Sequence, residues 1–443
     1  KKKKMATTMR LSARGFSTRA AIKVPSFLKS GSSISNEAKL VPLFEQVTGP
    51  LPPPTVPVKV KSRYGLPGAL DSLTNTLLPD FLADPKDGFP AILIAKNAEG
   101  GLAVESDDPG VWARALKPHL DKMLPKHGVV VIDGMGAMVQ TPQIFNRFME
   151  HIKDNYDCRN FMEGRSMTST SVANLVRTGS DDHPAYTIEP HNEYNVAAAL
   201  RPRKLFLSCS VEPTEGNGGE WVISDSSQIL KSLPPSVVEK FGALGARYEI
   251  FYPPEGEGVY NHWQGNIAPT KEAAEAYLKR AGCDWEWDQN GVKDSLLIHR
   301  VLPALVPHPD DPEGPNLWFN QIHAHHRTFY QDCHPDFEGQ TEGPWPVHTK
   351  YGDGSEIEDE TISAIREVCL SIVFIRHSLS LFGFLWFPHP SLIGSFKAVW
   401  QSSVSVPMKL GRLIVVDNYR ALHGRLGFTP GTPRQSLVSI IYA

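Results

Sequence analysis

Four polar residues have types and spacings that could hold a metal ion and an anion. His191 and Glu193 stand two positions apart, so on an extended strand their side chains project from the same face. His423, far downstream, adds a second imidazole, and Arg434 follows it. Two imidazole nitrogens and one carboxylate oxygen leave the opposite face of a metal open, as non-heme Fe(II) needs to bind a co-substrate and O2 together. The guanidinium of Arg434 is suited to a carboxylate.

Short strands are the elements that would position these residues. β-branched and alternating apolar runs predict strands at residues 129–132, 205–211, 221–223, 247–252, 413–416 and 436–442. Helical spacing of apolar residues predicts helices at residues 112–124, 143–152 and 271–280. Many strands of modest length, separated by long insertions, favour a mainly β fold with peripheral helices and a double-stranded β-helix (jelly roll) core.

The segments around these residues resemble a known family, the TauD/TfdA group of 2-oxoglutarate-dependent dioxygenases. The similar motifs are His191-Asn192-Glu193-Tyr194, Arg203-Lys204-Leu205-Phe206, Gly218-Gly219-Glu220, Ser224-Asp225-Ser226, the run 417–425, and Pro433-Arg434. The closest similarity is to the clavaminate synthase-like branch, in which the carboxylate ligand is Glu. The resemblance covers roughly residues 90–443.

The resemblance implies a ligand set and a reaction. His191, Glu193 and His423 would hold Fe(II), Arg434 would pair with the distal carboxylate of 2-oxoglutarate, and Arg425 is a second anion contact. The implied reaction consumes O2, hydroxylates an unactivated C–H bond of a small organic acid or amino-acid-like substrate, and releases succinate and CO2. Two alternatives stay open: a cupin-type metal enzyme that does not use 2-oxoglutarate, and a catalytically silent binding protein of the same fold.

One position departs from the family pattern. Many members have Thr after the Gly-Gly-acid motif, where its hydroxyl contacts 2-oxoglutarate, and this chain has Trp221. An indole offers one N–H donor and no acceptor. We therefore place Trp221 in the substrate pocket, and two alternatives stay open: the co-substrate binds in a different position, or a neighbour such as Ser224 supplies the missing hydroxyl.

A second group of histidines lies in His323-Ala324-His325-His326 and could bind a metal by count alone. No carboxylate stands at ligand spacing beside it, so we do not assign a metal there. We predict that Asn320, Gln321 and His323 line the substrate pocket or support the residues around the metal; a purely structural role is the competing interpretation.

Composition limits the partners of the protein. The chain has 443 residues and a formal net charge of −3, with no clustering of Lys and Arg that would indicate nucleic-acid binding. Its 5 cysteines show no CxxC spacing and predict free thiols. The most apolar run, at residues 379–387, is about half of what a bilayer span requires. We expect a small-molecule substrate, no nucleic acid and no membrane partner, and the sequence does not indicate an oligomeric state.

The chain divides into three parts by composition. Residues 1–40 are basic and Ser-rich, with no acidic residue before Glu37, and they resemble a mitochondrial transit segment; otherwise we expect a cytoplasmic protein. Residues 41–60 form a Pro-rich linker, and residues 61–443 form the dioxygenase-like domain with a lid region inserted at 255–400. Within this region, residues 369–398 lack any acid. Our hypothesis is a gene-model insertion such as a retained intron, and sequencing the spliced transcript tests it.

Overall fold

The β-branched runs of the sequence form most of the strands of the protein. The computed structural model describes residues 42–51, 82–96, 106–152, 172–179, 184, 187–193, 201–256, 262–333, 337, 340–366 and 399–442. Its strands are β1 (Leu43–Val47), β2 (Ala91–Lys96), β3 (Val129–Asp133), β4 (Arg177–Thr178), β5 (Ile188–His191), β6 (Lys204–Val211), β7 (Trp221–Asp225), β8 (Ala246–Tyr252), β9 (Asp284–Trp287), β10 (Leu296–Leu302), β11 (Leu305–Val306), β12 (Leu317–Trp318), β13 (Val347–Tyr351), β14 (Ser403–Val406), β15 (Leu413–Asp417), β16 (Ala421–Arg425) and β17 (Gln435–Ile441).

Helices occupy the connections between these strands. They are α1 (Pro109–His127), α2 (Pro142–Ile152), α3 (Ser226–Ser232), α4 (Pro235–Leu244), α5 (Trp263–Asn266), α6 (Lys271–Ala281), α7 (Arg327–Cys333) and α8 (Asp359–Arg366). Helix α1 begins where the Asp108 carboxylate accepts the Gly110 N–H, and it ends at Gly128 with φ of 70°. No helix among the described residues is both long enough and apolar enough to cross a membrane.

Two sheets face each other across a shared apolar core. The larger has seven strands in the order β1-β2-β3-β15-β6-β17-β4, and the smaller has four in the order β14-β7-β16-β5. Strands β2 and β3 are parallel, whereas β16 pairs antiparallel with both β5 and β7. Val131, Leu207 and Ile414 from the larger sheet belong to one buried cluster with Trp221 and Ile223 from the smaller. This shared cluster shows which faces of the two sheets point inward.

The outer face of the larger sheet is covered by α1 and α2. Trp112 and Leu116 of α1 and Phe145 and Phe148 of α2 are buried in one cluster with Leu413 of β15. Burial of each of these apolar side chains stabilises the folded protein by about 1.5–3 kcal/mol. The helices therefore fix the sheet that forms one wall of the core.

A third sheet lies in the region that we expected to contain helices and loops. It has the order β13-β8-β10-β9, and three of its strands fall between residues 284 and 351. The expectation for this part of 255–400 is therefore corrected. Leu296 and Ile298 are fully buried, but His299 and Arg300 follow them and interrupt the apolar alternation from which a strand is predicted.

Most predicted elements coincide with observed ones, and the fold is mainly β with some helices, as expected. The prediction that the linker begins at residue 41 is corrected. Strand β1 (Leu43–Val47) pairs antiparallel with β2, and the buried Phe44 ring contacts the Trp112 ring with centroids 6.2 Å apart. Only three apolar residues mark this strand, too few to predict it beside the prolines. Residues 1–40 and 369–398 lie outside the described residues.

Candidate metal centre

Pairing of β5 with β16 brings the two predicted histidine ligands together. His191 and His423 are register partners in this antiparallel pair, and their ring centroids are 4.5 Å apart. His423 is also the register partner of Ile223, whose side chain lies in the inner core. Partners across an antiparallel pair project from the same face of the sheet. Both imidazoles therefore stand on the inner face of the smaller sheet.

Glu193 completes a cluster of three potential ligands. Its Oε2 atom lies 3.8 Å from Nε2 of His191 and 3.5 Å from Nε2 of His423. One ligand atom from each of the three residues lies within 4.8 Å of the others, and within the described ranges this is the only such His/Cys/Asp/Glu group. Adjacent ligands about 2.1 Å from a metal stand roughly 3.0 Å apart. The cluster fits a first-row metal ion after small inward shifts of its side chains.

The charges of the cluster also favour a cation. Burial acts to raise the pKa of Glu193, but the hydrogen bonds and charges of His191 and His423 outweigh it and hold that pKa well below its usual range. Burial and the nearby charge of His191 lower the pKa of His423. An ionised carboxylate in a buried site is costly unless a cation compensates it. The three groups are thus a preformed cation site with one fixed negative charge.

The backbone of β5 sets the tautomer of His191. Nδ1 of His191 lies 2.7 Å from the carbonyl oxygen of Glu189. A carbonyl oxygen only accepts, so Nδ1 carries a proton, and in the neutral imidazole the lone pair is on Nε2, which faces Glu193 and His423. Such a partner on the remote nitrogen orients a metal-binding imidazole.

The predicted anion contacts lie near each other, Arg425 at the end of β16 and Arg434 just before β17. Nε and Nη2 of Arg434 donate to the Gly219 carbonyl oxygen at 3.1 and 2.9 Å. The guanidinium carbons of Arg425 and Arg434 are 5.0 and 5.1 Å from the centroid of the Phe428 ring. Burial and then the charge of Arg425 lower the pKa of Arg434 to about 9, so it remains a cation at neutral pH. Two guanidiniums sharing one aromatic ring favour an anion.

Trp221 lies in the core between the sheets, 4% exposed, and its register partner is Arg425. It therefore stands on the same face as the predicted ligand His423. The expectation for Ser224 is corrected, because its hydroxyl bonds that of Ser403 and its side chain projects from the opposite face of β7. Asp225 caps α3 by accepting the N–H of Ser227 at 2.8 Å.

The residues predicted to line a substrate pocket support β5. Asn320 and His323 are fully buried and Gln321 is 3% exposed. The backbone N–H of Asn320 donates to Oδ1 of Asn192, and Nε2 of Gln321 donates to the Asn192 carbonyl oxygen at 2.8 Å. The sequence alone could not show these contacts with Asn192, because they join segments more than a hundred residues apart in the chain.

His325 is a residue near the centre that the sequence analysis did not select. It is half-buried, and its ring meets Tyr248 edge-on with centroids 6.1 Å apart. Burial and then the charge of His191 lower its pKa to about 3, whereas Glu193 acts to raise it. His325 is thus a neutral imidazole within electrostatic reach of the ligand cluster. The sequence feature that could have indicated it is the H-x-H spacing of His323-Ala324-His325.

Comparison with protein families now decides the class. A family model described as taurine catabolism dioxygenase TauD, TfdA family matches residues 96–380, more than half of the 443-residue chain. The chain belongs to the TauD/TfdA family. The match contains His191 and Glu193 and ends before His423. The predicted family and the predicted enzyme class, an oxidoreductase of the dioxygenase type, are confirmed.

Two curated relatives of this family member are similar over much of their length. A clavaminate synthase-like protein of Arabidopsis thaliana is 24% identical over 376 residues, covering 83% of this chain and 98% of that protein. The dapdiamide synthesis protein DdaC of Enterobacter agglomerans is 25% identical over 269 residues, covering 60% and 69%. Among solved structures, an asparagine oxygenase with Fe(II), hydroxyasparagine and succinate is 16% identical, with a TM-score of 0.40 and coverage of 75% and 81%.

Proposed function

We propose that this family member is an Fe(II)- and 2-oxoglutarate-dependent dioxygenase that hydroxylates a small organic acid or amino-acid-like substrate. The observation that carries the proposal is the convergence of His191, Glu193 and His423 on one inner face of the smaller sheet. Two imidazoles and one carboxylate are the donor set that suits non-heme Fe(II) with open positions for other ligands. When bound, iron and 2-oxoglutarate supply the activation of O2 that oxidises a C–H bond and yields succinate and CO2.

In this proposal the residues of the chain bind the metal and the co-substrate and fix their orientation. Glu193 contributes the single negative charge, and the Glu189 carbonyl keeps Nε2 of His191 available to the metal. Arg434, held by the Gly219 carbonyl oxygen, offers its guanidinium to the distal carboxylate of 2-oxoglutarate, with Arg425 as the second cation. Their arrangement supports this role because a planar guanidinium recognises a carboxylate through paired hydrogen bonds.

We further propose that the two facing sheets form a double-stranded β-helix. Their common core cluster and the antiparallel pairing of β5, β16, β7 and β14 support this architecture. Such a scaffold would hold the two histidine ligands on strands and not on loops, which favours precise placement. The predicted domain that spans residues 61–443 would then begin earlier, since β1 joins the larger sheet.

Metal binding by Glu193→Gln tests the ligand assignment. The amide keeps the shape of the side chain and removes its charge, so we expect anaerobic titration with Fe(II) to show strongly weakened binding while circular dichroism stays unchanged. Glu358→Gln is the matched control, because this exposed carboxylate pairs with Lys240 at 2.8 Å. Equal Fe(II) affinity of the two variants would overturn the proposed metal centre.

Co-substrate binding by Arg434→Gln tests the anion contact. We expect a higher KM for 2-oxoglutarate, with retained Fe(II) affinity, because the guanidinium contacts the co-substrate and not the metal. Anaerobic addition of 2-oxoglutarate to the Fe(II)-loaded wild-type protein should produce a visible charge-transfer band. If no such band appears in the wild-type protein, the catalytically silent binding protein is favoured. Turnover in the absence of 2-oxoglutarate would favour a cupin-type enzyme of another kind.

Mitochondrial location is proposed from composition alone. The basic, acid-poor residues 1–36 support it. A fluorescent protein fused after residue 40 should enter mitochondria, and a uniform cytoplasmic signal would contradict the proposal.

A further inference from the structure

We propose that Asn418 and Asn192 form an amide clamp that positions the Glu193 ligand, and that the clamp sets the affinity of the centre for its metal. This inference rests on the proposed metal centre and names two positioning residues in it. Asn192 lies between the ligands His191 and Glu193, just after β5, and Asn418 lies in the turn between β15 and β16. Both side chains are fully buried.

The clamp begins where the backbone hydrogen bonding between β5 and β16 ends. The pairing of β5 with β16 ends at His191 and His423. Glu193 is therefore beyond the ladder, although its carboxylate must meet the two imidazoles that the ladder aligns. Backbone polar groups at such a position need other partners. Without them, the Glu193 backbone could rotate and carry its carboxylate away from the centre.

Asn418 supplies those partners with a single side chain. Its Oδ1 accepts the N–H of Glu193 at 2.7 Å, and its Nδ2 donates to the carbonyl oxygen of Glu193 at 2.8 Å. The same Nδ2 donates to the Pro202 carbonyl oxygen at 2.8 Å. The amide thus imitates a neighbouring strand, pairing with both backbone groups of one ligand residue. Because both bonds hold the same residue, they fix its orientation as well as its position.

Asn192 closes the clamp from the opposite side. Its Nδ2 donates to the Asn418 carbonyl oxygen at 2.6 Å, and its Oδ1 accepts the N–H of Asn320 at 2.9 Å. Nε2 of Gln321 donates to the Asn192 carbonyl oxygen at 2.8 Å. The clamp therefore ties two other segments of the chain, around Asn418 and around Asn320, to the residue between the ligands. Neutral amides do this without adding a charge that would compete with the metal.

The function of the clamp follows from the geometry of the cluster. Oε2 of Glu193 is already within 3.5–3.8 Å of both imidazole nitrogens, so little rearrangement is needed when a metal binds. Loss of the clamp would add a conformational cost to metal binding without changing any ligand atom. Partners behind metal ligands typically contribute about 10–100-fold to metal affinity. Asn418 should therefore affect metal affinity more than it affects the fold.

The experiment is an anaerobic titration of the full-length protein with Co(II) alone, followed by its visible absorption. Asn418→Ala should raise the Kd for Co(II) roughly 10–100-fold. Asn146→Ala is the matched control: this amide also accepts a backbone N–H, from Leu175 at 2.7 Å, and donates to Glu150, but it lies on α2 outside the centre. We expect it to lower the melting temperature and leave the Kd unchanged.

The outcomes separate the clamp from the metal centre. If wild-type protein binds Co(II) and Asn418→Ala binds it equally well, the clamp inference is overturned. If wild-type protein binds no metal, the proposed function fails instead. Asn192→Ala is the second variant, in case Asn418→Ala does not fold; it keeps the two bonds of Asn418 to Glu193, so we expect a smaller rise in Kd. An unchanged Kd in this variant would count against the clamp.

Discussion

Removal of the Arg366 guanidinium should destabilise the protein more than any surface ion pair does. Arg366, in α8, donates from Nε to Oε2 of Glu189 at 3.2 Å, with Oε1 2.9 Å away, from Nη1 to the Thr328 hydroxyl, and from Nη2 to the His323 carbonyl oxygen at 2.5 Å. The side chain of Glu189 is 1% exposed and that of Arg366 is 10% exposed. The substitution Arg366→Met keeps most of the side-chain length and removes every donor.

The expected loss is about 3–5 kcal/mol of unfolding free energy, because breaking a buried pair leaves an uncompensated charge behind. The buried carbonyl oxygen of His323 loses a hydrogen bond at the same time, which adds about 1 kcal/mol. Glu189→Gln removes the charge of the partner. The double variant should therefore recover part of the loss, with a coupling energy of roughly 2–3 kcal/mol between the two sites.

Urea unfolding followed by near-ultraviolet circular dichroism measures these differences. Lys240→Met is the matched control, since its pair with Glu358 is exposed and such pairs contribute little in water. The reasoning is refuted if Arg366→Met is no less stable than Lys240→Met. It is also refuted if the double variant shows the full sum of the two single losses, because the charges would then not be interacting.

Three further substitutions or reagents test other parts of the structure. Gly424→Ala would place a Cβ 2.5 Å from the Ile188 carbonyl oxygen, so forcing β5 and β16 apart should cost about 1–3 kcal/mol and weaken Co(II) binding; unchanged binding would contradict this. Asp225→Ala removes the cap of α3 and should cost about 1 kcal/mol in urea unfolding, and no change would show that the cap is not needed. Burial raises the pKa of Cys209 to about 12, so iodoacetamide at pH 8 should label it only after unfolding, as mass spectrometry of its peptide would show. The thiol stays protonated in the folded state, so its contribution to stability is lost as pH rises from 9 towards 12.

The ligand set could be predicted because local spacing and chemical type determine it. His191 and Glu193 needed only an extended backbone to share a face; β5 ends at His191, and Glu193 lies just beyond it. His423 followed a strong apolar run, and that run is β15. Positions with such regular patterns define their own secondary structure. The family resemblance then gave the order of ligands along the chain.

The surroundings of the ligands could not be predicted in the same way. Ser224 was one alternative for the co-substrate contact, but strand pairing turns it to the opposite face, towards Ser403. Asn320 was predicted to line the substrate pocket or support the residues around the metal, and it is fully buried behind Asn192. Each outcome depends on which strands become neighbours. Pairing is a long-range property that no local window of sequence contains.

The sequence by itself determined the residue types of the centre, the six strands and three helices that it predicted, and membership of the TauD/TfdA family. Only the tertiary structure decided that Asn418 holds the Glu193 backbone and that Arg366 compensates Glu189. The physical reason is the same in both cases. A buried polar group must find a partner, but the partner is chosen by three-dimensional proximity, and folding brings together residues that are far apart in the chain.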